Sequence, residues 1–304
     1  MRSIAAVVVA GGLRFSEIPP VPIREGEVLV KVLSAALTSL DVAAARGYVP
    51  HVYGKIAGSA GLVRVVELGY GVENLVVGES AVLSPRCFTE LALYRNGVMA
   101  EQSSVHSKCL EPVPQSVDSL VGLQASLLAH VPSISTSLAG SSMLIAGCGY
   151  EAYVLAKLVK DELKTEALCV SELGLRRVAK LGIKAYLWEK AGGHYDSVYV
   201  ASLDPYVNGV AVRRCRDTLY ISPTVPEYLV PVGVGTRSIV ALSQAKIDTS
   251  KALDLSRRLN REIETAYKVV DSLKAVAEQA SYTNYVAYVR PPDTQNVSGL
   301  QRER

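Results

Sequence analysis

The sequence predicts a chain in two parts: a β-rich first unit, then an α/β unit built on a doubly wound parallel sheet. Three observations carry this. Up to about residue 115, short β-branched runs such as EVLVKVLSAAL, GLVRVVELGYG and ESAVLSP alternate with glycine and proline turns. After a helical stretch, SVDSLVGLQASLLAHV, strands alternate with amphipathic helices, which requires parallel pairing through crossover helices. At the head of that alternation stands SMLIAGCGYEA, an apolar run that ends in a glycine turn and opens a helix.

The elements follow in order. SIAAVVVAGG reads as an opening strand rather than a signal peptide, because LRFSEIPPVPIREGEVLVKV continues it with strand-like alternation. In the second unit, SMLIAG precedes helix YEAYVLAKLVKDELK, and ALCVSE precedes LGLRRVAKLG. The segments IKAYLW, YDSVYVAS, TLYISP and SIVALSQ then read as strands. Beyond residue 250 comes a long charged helical region, SKALDLSRRLNREIETAYKVVDSLKAVAEQA, then a strand in NYVAYVRPP and a polar tail over 291–304.

Composition narrows the function. With 304 residues, 49% of them hydrophobic, the chain can bury two cores. The net charge of +3 is nearly balanced, and no basic block or aromatic–basic alternation occurs, so nucleic acid is excluded as a partner. No apolar run approaches the ~20 residues that span a bilayer. A soluble, cytoplasmic protein without a membrane partner is expected. The five cysteines, at 87, 109, 148, 169 and 215, include no Cys-x-x-Cys pair, and buried free thiols are expected. Two Phe against sixteen Tyr suggests a thermophilic source.

The glycine turn fits Gly-x-Gly-x-x-Ala at Gly147, Gly149 and Ala152. In a dinucleotide-binding turn the first glycine permits the tight bend. The second admits a pyrophosphate to the backbone, and the small third residue lets helix and strand pack closely. The helix that follows offers free N–H groups to the phosphates, and Val154, Leu155, Leu158 and Val159 give it one apolar face. Tyr150 and Glu151 depart from expectation, one by bulk and one by a charge that would repel phosphate. Where the second strand ends, Glu172 would accept a ribose hydroxyl of NAD. Ser171 and Arg176, with Arg177 beside them, would suit the 2′-phosphate of NADP. The sequence leaves both cofactors open.

Along roughly residues 1–290 the chain resembles the medium-chain dehydrogenase/reductase family, the zinc alcohol dehydrogenase and quinone reductase-like proteins. The resemblance runs through LRFSEIPPVPIREGEVLVKVLSAALTSLDVAAARGYVP, with its Asp41, Arg46 and Gly47, and through IAGSAGLVRVVELGYGVENLVVGESAVLSP. It continues in NGVMAEQSSVHSKCLEPVPQSVD and closes in AYKVVDSLKAVAEQASYTNYVAYVRP. It implies a GroES-like β-barrel domain, 1–117 and 266–290, interrupted by a Rossmann dinucleotide-binding domain over 118–265. It also implies NAD(P)(H) as cofactor, a small-molecule substrate, and a homodimer formed along the strand RSIVALSQ.

The departures concern metal. The family's three catalytic zinc positions fall at Thr38, at Ser59 within Gly58-Ser59-Ala60, and near Ala129, which are not zinc ligands. The four-cysteine lobe for structural zinc is reduced to SPRCFTELALYRNG, with Cys87 alone. No zinc is therefore expected. Zinc-free relatives transfer hydride to an activated C=C or a quinone, with hydrogen-bond donors taking up the developing charge. Thr38, Ser39, Tyr48 and His51 are the candidates for that task, although Thr38 and Ala43 differ from the Asn and Tyr common in the quinone reductase branch. Two alternatives accompany this reading. One is a catalytically inactive member that serves as a cofactor-binding or structural subunit. The other is a metal enzyme with unusual ligands from His51, His130, His106 and Cys109.

Overall fold

The computed structural model describes residues 3–138, 140–187, 192–231, 238–245, 247–259, 262–279 and 285–291. All but the first residue of the expected polar tail lie outside these. The opening strand β1 (Ser3–Val9) turns at Gly11, where φ is +79°, and pairs antiparallel with β2 (Gly12–Ile18). β3 (Glu27–Ala36) buries Val28, Val30 and Val32 on one face by simple alternation. Then follow α1 (Ser39–Ala45), β4 (Ala60–Leu68), β5 (Ser80–Leu83), α2 (Phe88–Leu93), β6 (Gln102–His106) and β7 (Leu110–Val113).

The second unit begins with α3 (Ser119–Leu128), capped by the Asp118 carboxylate on two backbone N–H groups, and α4 (Val131–Ser137). Strands and helices then alternate: β8 (Ser142–Ala146), α5 (Tyr150–Val159), β9 (Lys164–Cys169), α6 (Glu172–Ala179), β10 (Lys184–Leu187), β11 (Tyr195–Val200), α7 (Pro205–Val212), β12 (Cys215–Ile221) and β13 (Ser238–Ala241). These strands form a six-stranded parallel sheet in the order β10-β9-β8-β11-β12-β13. The direction of winding reverses between β8 and β11, which opens a crevice at their C-terminal ends. On one face Leu144, Val198, Val200 and Leu219 pack with Val207 and Ala211 of α7. On the other, Met143, Ile145 and Tyr199 pack with Val154 and Leu155 of α5.

The charged region after residue 250 is not one helix. It divides into α8 (Thr249–Leu259), β14 (Tyr267–Val270) and α9 (Leu273–Gln279), and β15 (Tyr285–Val289) follows. The β-branched Val269 and Val270 lie in a strand that pairs parallel with β15, and this pairing overrides the helical reading. β15 returns to the first unit, placing Ala287 opposite Ala36 of β3. The second sheet thus runs β14-β15-β3-β4-β5-β7, with β6 also on β3, and the parallel sheet is inserted between its strands. Among the described residues no helix is long and apolar enough to cross a membrane.

Four cysteines expected as free thiols are cross-linked: Cys87 to Cys109 and Cys148 to Cys169, with Cα–Cα separations of 5.6 and 5.2 Å. Cys215 alone is free and buried. Sequence spacing hid these pairs, because adjacent strands bring together residues more than twenty positions apart. Such bonds persist in oxidising compartments, or inside hyperthermophile cells.

Candidate functional site

A cleft of about 690 Å³ lies across the C-terminal ends of β8, β9, β11 and β12, and α1 of the first unit walls its far side. Its floor is the glycine turn. Gly147 has φ +113°, and a Cβ there would stand 2.7 Å from the Ala201 carbonyl carbon, so only glycine fits. Gly149 differs. Its φ of −73° suits any residue, and a Cβ there would meet nothing within 4 Å. The space in front of Gly149, at the N-terminus of α5, is open. Ala152 is fully buried beneath the turn, where a larger side chain would push α5 off the sheet.

Both residues that depart from expectation at the turn line the cleft, and each is engaged by a partner. Tyr150 is buried and donates to Gln124 Oε1 at 2.8 Å. Glu151 projects toward the end of β12. Its carboxylate accepts from Ser222 Oγ at 2.9 Å and Thr224 Oγ1 at 2.8 Å, and its Oε2 lies 3.0 Å from His130 Nε2. Burial alone would raise this carboxyl, but the hydrogen bond and charge attraction of His130, with the hydrogen bonds from Thr224 and Ser222, outweigh it and hold the group below its ordinary range.

At the end of β9 the structure selects among the sequence candidates. Ser171 lines the cleft and caps α6, its Oγ accepting from Gly174 N at 3.2 Å. Glu172 and Arg176 do not line it. They pair with each other at 3.2 Å on the exposed face of α6, with side chains about three-quarters exposed. Arg177, about 100° further round the helix, turns inward and reaches the Cys148 carbonyl at 3.4 Å. Burial lowers its pKa, and Tyr285, Tyr267 and Tyr153 act against that shift. Cys148 itself, between the two glycines, is tied to Cys169 at the end of β9, so the glycine turn and the neighbouring strand are one covalent unit.

The opposite wall carries Thr38, Ser39 and Tyr48. Thr38 and Ser59 converge, their hydroxyls 3.1 Å apart although 21 residues separate them. The donor set between them is not a metal site. Asp41 Oδ2 accepts from Thr38 N and Oγ1, both at 2.9 Å, from Ser59 N at 3.1 Å and from Ser59 Oγ at 2.6 Å. Its Oδ1 accepts from Gly58 N at 3.1 Å. Both carboxylate oxygens are engaged by hydrogen-bond donors, and Ala129 supplies no ligand atom. These residues do not fit a catalytic zinc. Thr38 is 1% exposed, and its hydroxyl is committed to Asp41.

His51 is not among the residues that line the cleft. Its Nδ1 bonds the Val49 carbonyl at 2.8 Å, and its ring meets Tyr53 edge-on at 4.5 Å. Nor do the four residues of the unusual metal site assemble. His130 is buried against Glu151, His106 and Cys109 line a different pocket, and Cys109 is cross-linked. Among the described residues the one metal-capable group is Cys87, Glu90 and Cys109. There the sulfurs bond each other, while Arg95 and Lys108 pair with the carboxylate.

Solved structures match this architecture end to end. A zinc-binding dehydrogenase of Sinorhizobium meliloti 1021, bound to NADP, has a TM-score of 0.66 at 18% identity, covering 95% of this chain and 99% of its own. The 2R,3R-butanediol dehydrogenase of Bacillus subtilis has a TM-score of 0.67 at 18% identity, covering 95% and 100%. This chain has the medium-chain dehydrogenase fold. Acetophenone reductase of Geotrichum candidum NBRC 4597, in complex with NAD, shares that fold with a TM-score of 0.65 at 14% identity over 95% and 97%. No sequence-family model and no curated protein matches the chain.

Within this dehydrogenase fold, sequence reasoning missed three things: the inward turn of Arg177, the Glu151–His130 contact, and Tyr267 and Tyr285 in the cleft wall. The first was signalled by the i,i+4 spacing of Glu172 and Arg176, which places that pair on the solvent face and Arg177 off it. The others join segments far apart in sequence and left no local trace.

Proposed function

We propose that this chain is a zinc-independent, NAD(P)(H)-dependent oxidoreductase acting on a small carbonyl-conjugated or quinone-type substrate. Its first unit is read as a GroES-like barrel, and β13, an edge strand with Ile239 half exposed, as the seam of a homodimer. The observation that carries the reading is the open space at Gly149 above a turn whose other glycine is sterically required. The backbone N–H groups of α5 and the Ser171–Gly174 loop would hold the dinucleotide, and Arg177 would pair with a 2′-phosphate, which favours NADP. The bound nicotinamide would supply the hydride chemistry.

The chain's own residues do the rest. Asp41 orients Thr38 and Ser59 and holds the head of α1 against the cleft. Ser39 and Tyr48 are the donors placed to polarise a substrate carbonyl. Leu127, Val42 and Val49 line the cleft with apolar surface that excludes water from it. A second reading is a cofactor-binding protein without turnover, and the Asp41 bonds favour it by withdrawing the Thr38 hydroxyl from substrate.

Titration of metal-stripped protein with NADPH and NADH, followed by assay on enones and quinones, tests both. Binding with turnover supports the oxidoreductase. Binding without turnover supports the second reading, and no binding of either nucleotide removes both.

A further inference from the structure

One of the two cross-links is built into the cleft itself. Cys148 stands between Gly147 and Gly149 and lines the cleft with them. It is 6% exposed, while its partner Cys169, at the end of β9, is fully buried. The other pair, Cys87 and Cys109, is buried in the first unit, where Cys109 borders a separate pocket. Of these two pairs, Cys148–Cys169 is the one a reagent in the cleft can meet.

Breaking that bond needs room. Two thiols in contact stand further apart than two bonded sulfurs, so reduction must move at least one of them. Cys169 is enclosed, in a strand that pairs with β8 on one side and β10 on the other. The backbone of the turn is held as well. Gly147 N donates to the Leu168 carbonyl at 2.8 Å, and Arg177 bonds the Cys148 carbonyl. Gly174 of α6 packs against Cys148 so closely that a Cβ there would stand 2.9 Å from Cys148 Cβ. The open direction for the Cys148 thiol is the cleft, beside Gly149, where a Cβ meets nothing within 4 Å.

We propose that Cys148–Cys169 is a redox latch on the cleft: oxidised, it keeps the space at Gly149 clear for a dinucleotide, and reduced by a dithiol, it swings the Cys148 thiol into that space. This rests on the dinucleotide reading above. A thiolate of the dithiol attacks Cys148 Sγ, the sulfur–sulfur bond breaks, and Cys169 leaves as a thiolate that takes a proton. The second thiol of the reagent then displaces Cys148 from the mixed disulfide and frees its thiol. The pair gains two electrons and two protons, and the dithiol becomes a cyclic disulfide. The attack comes through the cleft, so a bound dinucleotide shields the bond. By linkage, the affinity that reduction removes from the dinucleotide is the same factor by which the dinucleotide disfavours reduction.

Calorimetric binding of NADPH and NADH to the intact chain, oxidised and after dithiothreitol, tests this. Alkylation and mass spectrometry report which cysteines have opened. Dithiothreitol should open Cys148–Cys169 in the folded protein, and saturating nucleotide should slow the opening. The reduced chain should bind at least about tenfold more weakly, the size of effect expected when a packed site must take in an extra group. The double variant Cys148→Ala, Cys169→Ala should lose the response to dithiothreitol. A pair that stays closed to dithiothreitol, opening at an unchanged rate with nucleotide bound, or equal affinity in the two states each overturns the latch and leaves the dinucleotide reading standing. A response that persists in the double variant overturns the role of this pair. Failure of both nucleotides to bind the oxidised chain overturns the dinucleotide reading itself. The oxidised-to-reduced ratio of the intact chain, read with the alkylation pattern, decides even if the double variant does not fold.

Discussion

The two walls of the cleft are built in different ways. On the parallel-sheet side the glycine turn is fixed by the backbone: Gly147 is forced by the Ala201 backbone, and Gly149 opens onto free space. On the α1 side Thr38 and Ser59 are neighbours whose hydroxyls are bound to the Asp41 carboxylate. A backbone cradle is built from φ values and close contacts, so it survives as long as the fold does. A metal site is built from side chains, and Thr38, Ser59 and Ala129 do not supply such a set.

The largest effect should come from breaking the α1 wall. Asp41→Ala would strand three backbone N–H groups and two hydroxyls in a buried site, and should cost about 3–5 kcal/mol in urea unfolding or prevent folding. A cost below about 1 kcal/mol would show that these bonds do not organise the wall. On the other wall, Cys148→Ser removes the link between the phosphate turn and β9. The chain-entropy model gives about 3 kcal/mol for a loop of this length. The loss should appear under oxidising conditions and vanish when both proteins are measured with excess dithiothreitol. Equal stability without reductant would contradict a formed cross-link.

A smaller effect distinguishes the walls by pH. The Glu151 carboxyl is held below its ordinary range, so the folded state binds its proton less readily than the unfolded chain does. Its contribution is present above the unfolded value, near 4.3, and is lost as pH falls through the lower folded value. Acid unfolding of Glu151→Gln should lack this component and show a shallower decline below about pH 4. Superimposable acid limbs would contradict the buried-carboxylate account.

What the sequence allowed to be read follows the same division. The alternation of strands and helices, the Gly147–Gly149–Ala152 turn and the absence of zinc ligands at Thr38 and Ser59 are local patterns, and each was legible. The strand at Tyr267–Val270 was not, because its partner β15 lies outside any local window. Arg176 and Arg177 are adjacent, and the i,i+4 spacing of Glu172 and Arg176 was the one local trace of which of them enters the cleft. The disulfides and the Glu151–His130 contact depend on which strands become neighbours, a property of the assembled sheet rather than of a segment.

The central claim is that the space before Gly149 is a working dinucleotide cradle. Gly149→Leu tests it most directly, because the backbone there accepts a side chain and a Cβ meets no atom within 4 Å. The account predicts a melting temperature close to that of the intact chain and loss of NADPH and NADH binding by at least about a hundredfold, the order of a displaced pyrophosphate anchor. Unchanged affinity for the nucleotide that the intact chain binds would contradict it.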